Sequence, residues 1–117
     1  MSGRRRASAF TVLEVMIVVL IIGVLTAIAV PQFLQAKGRS MQRTCMQNLR
    51  KIADAKEVYA QEHKVPDGDA IAMEQIYPDY VRGASPPSCP AGGVYTVGNV
   101  GSDPECSFND PSYPHRL

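Results

Sequence analysis

A nearly unbroken apolar run from Phe10 to Val30, preceded by Arg4, Arg5 and Arg6, limits what this chain can fold into. Its length matches the roughly 20 residues a helix needs to cross the hydrocarbon layer of a bilayer. A basic block before such a segment stays on the cytoplasmic side, which would place the C-terminal part outside. One residue breaks the pattern. Glu14 puts a carboxylate inside the apolar segment, at a cost of roughly 2 to 3 kcal/mol unless it is protonated or meets a cation. An acid in that position is therefore a functional candidate, and its role depends on which cation it meets.

The run Arg4-Arg5-Arg6-Ala7-Ser8-Ala9-Phe10-Thr11-Val12-Leu13-Glu14-Val15-Met16 resembles the leader and mature start of type IV pilins and type II secretion pseudopilins. The resemblance implies that a prepilin peptidase cuts between Ala9 and Phe10 and N-methylates Phe10, with Ala9 standing where the family usually has glycine. It also implies a cation for Glu14, the Phe10 amine of a neighbouring subunit, so that the pair sets register in a filament. Pro31, expected to kink the helix, lies where the family usually has a proline. The implied partners are other pilin-like subunits in a homopolymer or hetero-filament, the peptidase, an inner-membrane assembly platform, and the lipid bilayer before assembly. The implied location is a single-pass inner membrane protein that becomes a periplasmic or extracellular filament.

Two other readings compete for the N-terminal region. Val15 to Leu25 could be the apolar core of a secretory signal, cleaved after Ala27-Ile28-Ala29 to release a secreted disulfide-bonded binding module. A plain uncleaved anchor is the other. Both leave Glu14 without a purpose.

The pattern predicts one long helix, Phe10 to about Glu62, interrupted only near Pro31 and Gly38. Its second half is amphipathic, with Leu34, Met41, Cys45, Leu49, Ile52, Ala55 and Tyr59 at steps of three, four or seven. Such a helix would reach roughly 80 Å, more than a small domain can cover alone. Pro66 disfavours helical geometry in the residue before it, so the helix should stop there. A short helix over Ala70 to Ile76 with Asp69 as N-cap is expected next. Val94 to Val97 and Glu105 to Phe108 read as a hairpin that must lie on the amphipathic helix, because an isolated hairpin is marginal in water. The tail from Asn109 to Leu117 shows no pattern and reads as surface or frayed.

The expected fold class is thus α+β: a long N-terminal helix, membrane-spanning in its first half, packed on a small C-terminal β-hairpin domain with one disulfide. The expected organisation is a leader at 1–9, a transmembrane or filament-core helix at 10–30, its amphipathic continuation at 31–63 and a small globular domain at 64–117. Downstream, Asn48-Leu49-Arg50, Ala55-Lys56-Glu57 and Cys89-Pro90-Ala91-Gly92-Gly93-Val94-Tyr95 through Pro104-Glu105-Cys106 are similar to short pilin-like proteins with minimal globular domains.

Three cysteines on an exported domain suggest one disulfide and one remaining thiol. Three pairings are formally possible. Cys89 to Cys106 is the expected one, since both flank the same Pro/Gly-rich loop, and closing it would stabilise the fold by about 3 kcal/mol. Cys45 lies on the helix, where it reads as a small buried apolar residue.

The remaining chemistry is sparse. Without the leader there are nine Lys/Arg against eleven Asp/Glu, a net charge of about −2, and no basic footprint for nucleic acid. No catalytic motif stands out, so the chain is expected not to be an enzyme and to need no cofactor. Asp67 and Asp69 begin like a calcium loop, but Ile71 and Pro78 stand where oxygen ligands belong. Asp103, Glu105 and Asp110 are calcium candidates by proximity only. His63 and His115 are too separated to suggest a metal, so no metal site is expected. Pilus and secretion pseudopilus are nearly even alternatives, and the short domain leans toward a generic pilin or major pseudopilin rather than a specialised tip.

Overall fold

A computed structural model describes Gly3 and residues 8–117; Arg4, Arg5 and Arg6 of the basic block lie outside the described residues. The fold is α+β, with element order α1 (Val12–His63), α2 (Met73–Ile76), β1 (Tyr95–Thr96) and β2 (Glu105–Cys106). The chain divides into two units, one ending at Ala36 and the other running from Lys37 to Leu117.

In the first unit α1 begins one residue after Thr11 and continues without a break through Pro31. Proline has no N–H to donate, so Ala27 loses its usual intrahelical partner at that turn. Each large apolar side chain from Val12 to Leu34 is at least 48% exposed. Thr26, a polar residue within the apolar run, satisfies itself, its hydroxyl donating to the carbonyls of Ile22 at 2.9 Å and Gly23 at 3.0 Å. A hydroxyl closed onto its own helix suits an environment without water.

In the second unit α1 supplies one wall of the core through Cys45, Leu49, Ile52, Ala55, Lys56 and Ala60, all buried. Steps of three and four keep these on one face. The helix stops where proline geometry requires. Lys64 takes a φ of 54° and Val65 N–H bonds to the carbonyl of Ala60 at 2.9 Å, closing the last turn before Pro66. His63 sits in that turn, stacked on Tyr59 with its Nδ1 3.1 Å from the Tyr59 carbonyl, which suits the negative end of the helix dipole.

The core has two parts. Ile52, Ala55 and Ala60 pack with Ile71, Ile76, Val81, Val97 and Val100. Cys45 and Leu49 pack with Cys89, and Tyr95, Cys106 and Phe108 close over them. The hairpin is antiparallel, Tyr95 opposite Cys106 and Thr96 opposite Glu105. It extends by one bond, Ser107 N–H to the Val94 carbonyl at 2.9 Å.

Two expectations change. The short helix is confined to Met73–Ile76 and capped at Ala72, whose N–H donates to Gln75 Oε1 at 2.8 Å. Asp69 does not cap it, because Ala70 bridges Asn99 and Ile71 N–H bonds to the Gly98 carbonyl, which holds that backbone extended. The tail is also not frayed. Gln42 Nε2 donates to the Pro114 carbonyl at 2.9 Å, the Tyr113 ring lies against Gly38, and His115 is buried.

Gly93 shows how close the hairpin runs to its surroundings. A Cβ there would lie 2.7 Å from Cys106 Sγ and 2.9 Å from the Phe108 backbone nitrogen. Backbone cannot step aside as a flexible side chain can, so Gly93→Ala is expected to destabilise the domain by about 1 to 3 kcal/mol. A lower denaturation midpoint with an unchanged denaturant slope is the expected result, and an unchanged midpoint would contradict the packing described here.

Candidate functional site

The N-terminal site is built on the first turn of α1. A helix leaves its first N–H groups unpaired, and side-chain oxygens of the preceding residues commonly satisfy them. Here Glu14 N–H donates to Thr11 Oγ1 at 3.2 Å, and Thr11 N–H donates to Glu14 Oε2 at 3.1 Å. This reciprocal pair is a capping box, which the spacing Thr11-x-x-Glu14 signals in the sequence. Glu14 therefore has a local partner within its own turn of helix. Its charge also lies at the positive end of the helix dipole, the favourable end for a carboxylate.

The cap also aims the carboxylate. Glu14 Oε2 accepts from the amide directly after Phe10, so the acid is turned back toward the residue at the expected cleavage point. Phe10 itself is 87% exposed, and Ala9 is exposed beside it. Ala9, Phe10 and Glu14 thus lie close along the chain at one helix end. From Val15 to Ala36 there is no further charged side chain. The result is one oriented acid at the head of an uncovered apolar helix.

A second constellation lies in the other unit. Cys45 from α1, Cys89 from the loop before β1, Cys106 from β2 and His115 from the tail bring their donor atoms within 4.8 Å of one another. Cys45, Cys89 and His115 are buried and Cys106 is half-buried. His115 Nδ1 lies 3.3 Å from Cys89 Sγ, and the imidazole packs on Phe108 with ring centres 4.6 Å apart. The cysteines are free thiols, so the expected Cys89 to Cys106 bridge is not formed in this structure. Cys45 is buried on the helix, as its position there predicts, and it also faces both other sulfurs. Sequence separation hid His115: it is nine residues beyond Cys106 in a tail without pattern. Asp103, Glu105 and Asp110 do not join a comparable grouping among the described residues.

Comparison with known proteins bears on the first constellation. Residues 4–30 match the family described as the prokaryotic N-terminal methylation motif. The chain is 42% identical over 57 residues to the type IV major pilin protein PilA of Myxococcus xanthus, which covers 49% of this chain and 26% of that protein. It is 36% identical over 56 residues to the type II secretion system core protein G of Pseudomonas aeruginosa and 34% identical over 56 residues to that of Aeromonas hydrophila. Each of these covers 48% of this chain and 39% of the relative. The chain therefore spans well under half the length of the curated relatives it matches. No solved structure matches it.

Proposed function

We propose that this chain, whose residues 4–30 match the prokaryotic N-terminal methylation motif and which is similar to a type IV major pilin and to type II secretion core proteins G, is a structural subunit of a pilus or pseudopilus filament. The observation that carries the reading is the placement of Glu14: a carboxylate turned toward Phe10 at the start of an apolar helix that nothing covers.

The physical scheme has two stages. The helix first lies in the inner membrane, where lipid covers its apolar surface, with the C-terminal domain outside the cytoplasm. Prepilin peptidase cuts between Ala9 and Phe10 and methylates Phe10, creating a cation at the helix head. The assembly platform then lifts the subunit into the filament, where neighbouring helices replace lipid around the same surface. The Phe10 amine of one subunit pairs with Glu14 of the next. Pairing fixes axial register, because an isolated charge in a dry core is far costlier than a matched pair. Pro31 supplies a bend between the segment at 10–30 and its continuation at 31–63. The role is structural and requires no catalysis by this chain.

Sequencing of the mature N-terminus, with mass measurement of the first peptide, tests the scheme. Phe10 carrying one added methyl group is the expected result. A mature chain starting at Val30 would mark a secreted module, and an intact Met1 would mark a simple anchor; either overturns the proposal.

A further inference from the structure

We propose that Cys45, Cys89, Cys106 and His115 form a tetrahedral zinc site that ties the ends of the C-terminal domain together. The inference is independent of the filament role and goes beyond it.

Four segments distant in sequence converge on one point, each contributing one donor. Zinc takes sulfur at about 2.3 Å and imidazole nitrogen at about 2.0 to 2.1 Å, so a tetrahedral site has donor-to-donor edges of about 3.5 to 3.8 Å. The Cys89 Sγ to His115 Nδ1 separation of 3.3 Å is already near such an edge. The widest separation, 4.8 Å, needs only a small contraction of side chains. Three thiolates and one imidazole are a soft, four-coordinate donor set, which favours zinc over magnesium or calcium.

Backbone N–H groups lie beside two of the three sulfurs. Cys89 opens the turn Cys89-Pro90-Ala91-Gly92, closed by Gly92 N–H to the Cys89 carbonyl at 3.0 Å, with Gly92 at a φ of 90°. That turn directs the N–H groups of Ala91 and Gly93 at the Cys89 sulfur, while Phe108 N–H donates to the Cys106 sulfur. Backbone donors aimed at sulfur offset the net negative charge that three thiolates leave on one zinc ion. Gly93 has no room for a Cβ beside Cys106, so the chain approaches the sulfur as closely as glycine allows. The fourth ligand is positioned as carefully. Gln42 holds the Pro114 carbonyl, and Phe108 packs against the His115 ring.

A disulfide between any two cysteines would use only half of this arrangement. It would leave one thiol and the buried imidazole facing the bridge with no shared purpose. Zinc uses all four groups, and each thiol that binds it gives up its proton to solvent and ligates as thiolate. The ion would join α1, the loop before β1, β2 and the tail in a domain with a small core, the circumstance in which a metal most often supplements packing.

The test uses the full chain, purified in detergent with thiols kept reduced and stripped of metal by a chelator, then titrated with cobalt(II). Expected are saturation at one ion per chain, visible bands of tetrahedral cobalt, a near-ultraviolet sulfur-to-cobalt charge-transfer band, and displacement by zinc. Cys45→Ser and His115→Ala should each weaken binding by more than about 100-fold, the most that losing an outer hydrogen-bond partner alone usually causes. The cobalt spectrum of the unaltered chain decides the matter even if a variant fails to fold. Absence of the charge-transfer band overturns the proposal. So does a stoichiometric disulfide among the three cysteines in protein whose thiols were alkylated at the moment of cell lysis.

Discussion

Replacing Glu14 by alanine is expected to leave the chain inserted in the membrane at normal levels while nearly abolishing its recovery in filaments. Insertion depends on the apolar run, and removing a carboxylate from it makes insertion easier by roughly 2 to 3 kcal/mol. Assembly would fail for a different reason: the Phe10 amine of the incoming subunit would enter a dry helical core unmatched. Breaking a buried pair by removing one partner costs about 3 to 5 kcal/mol. At about 1.4 kcal/mol per factor of ten, the constant for adding a subunit should fall by at least about 100-fold. Immunoblots of membrane and sheared-filament fractions measure both quantities. Filaments at normal yield from Glu14→Ala would remove Glu14 from the assembly scheme.

The capping box makes a second variant necessary. Glu14→Ala deletes both the acceptor for Thr11 N–H and the negative charge, and loss of the cap alone costs about 1 kcal/mol. Glutamine at position 14 still completes a capping box but carries no charge. Glu14→Gln should therefore preserve the helix start and still fail in assembly. Filament recovery in Glu14→Gln would assign the residue to helix initiation rather than to pairing with Phe10.

Local pattern made much of this fold legible. The apolar run and its amphipathic continuation point to one long helix because apolar residues are nearly continuous to Val30 and burial follows the helical period from Cys45 to Ala60, and Pro66 marks the end to within a few residues. Tyr95 and Thr96 carry the β-branched and aromatic character that a strand surface favours, and they pair as expected with residues 105 and 106. What stayed hidden depends on contacts between distant segments. Residues 70 and 71 look helical until Gly98 and Asn99 claim their backbone. His115 looks like part of an unpatterned end until the fold carries it to three sulfurs. Thr11 differs in kind, since the Thr-x-x-Glu spacing is local and readable as a helix-capping signal without any contact between distant segments. Lys56 was readable too: it stands four residues after Ile52 and seven after Leu49, on the buried stripe, where a lysine needs a specific partner.

That partner is the loop after β1, and Lys56 is the residue whose loss should most damage the C-terminal domain. Its side chain is 2% exposed. Its ammonium donates to the carbonyls of Val97 at 2.8 Å and Asn99 at 2.9 Å, and also to that of Ser102. An ammonium has three donors, and this cradle uses all three. Lys56→Met keeps most of the volume but leaves three carbonyls without their donor. Because hydrogen bonds to a charged group contribute about 1.5 to 3 kcal/mol each and do not add fully, a loss of about 3 to 5 kcal/mol is expected. Chemical denaturation measures it, and hydrogen exchange should show the largest loss of protection around residues 97–102. A loss below about 1 kcal/mol would mean the cradle contributes little. The pH dependence has a definite sign. Burial lowers the Lys56 pKa from its ordinary 10.5, with Asp103 and Glu57 pulling the other way. Between the lowered value and 10.5 the unfolded chain binds more protons than the folded one at this residue, so its contribution to stability rises with pH across that window and is flat below it. The stability difference between the unaltered chain and Lys56→Met should therefore widen as pH approaches 10.5, and a difference that narrows there would contradict the burial argument.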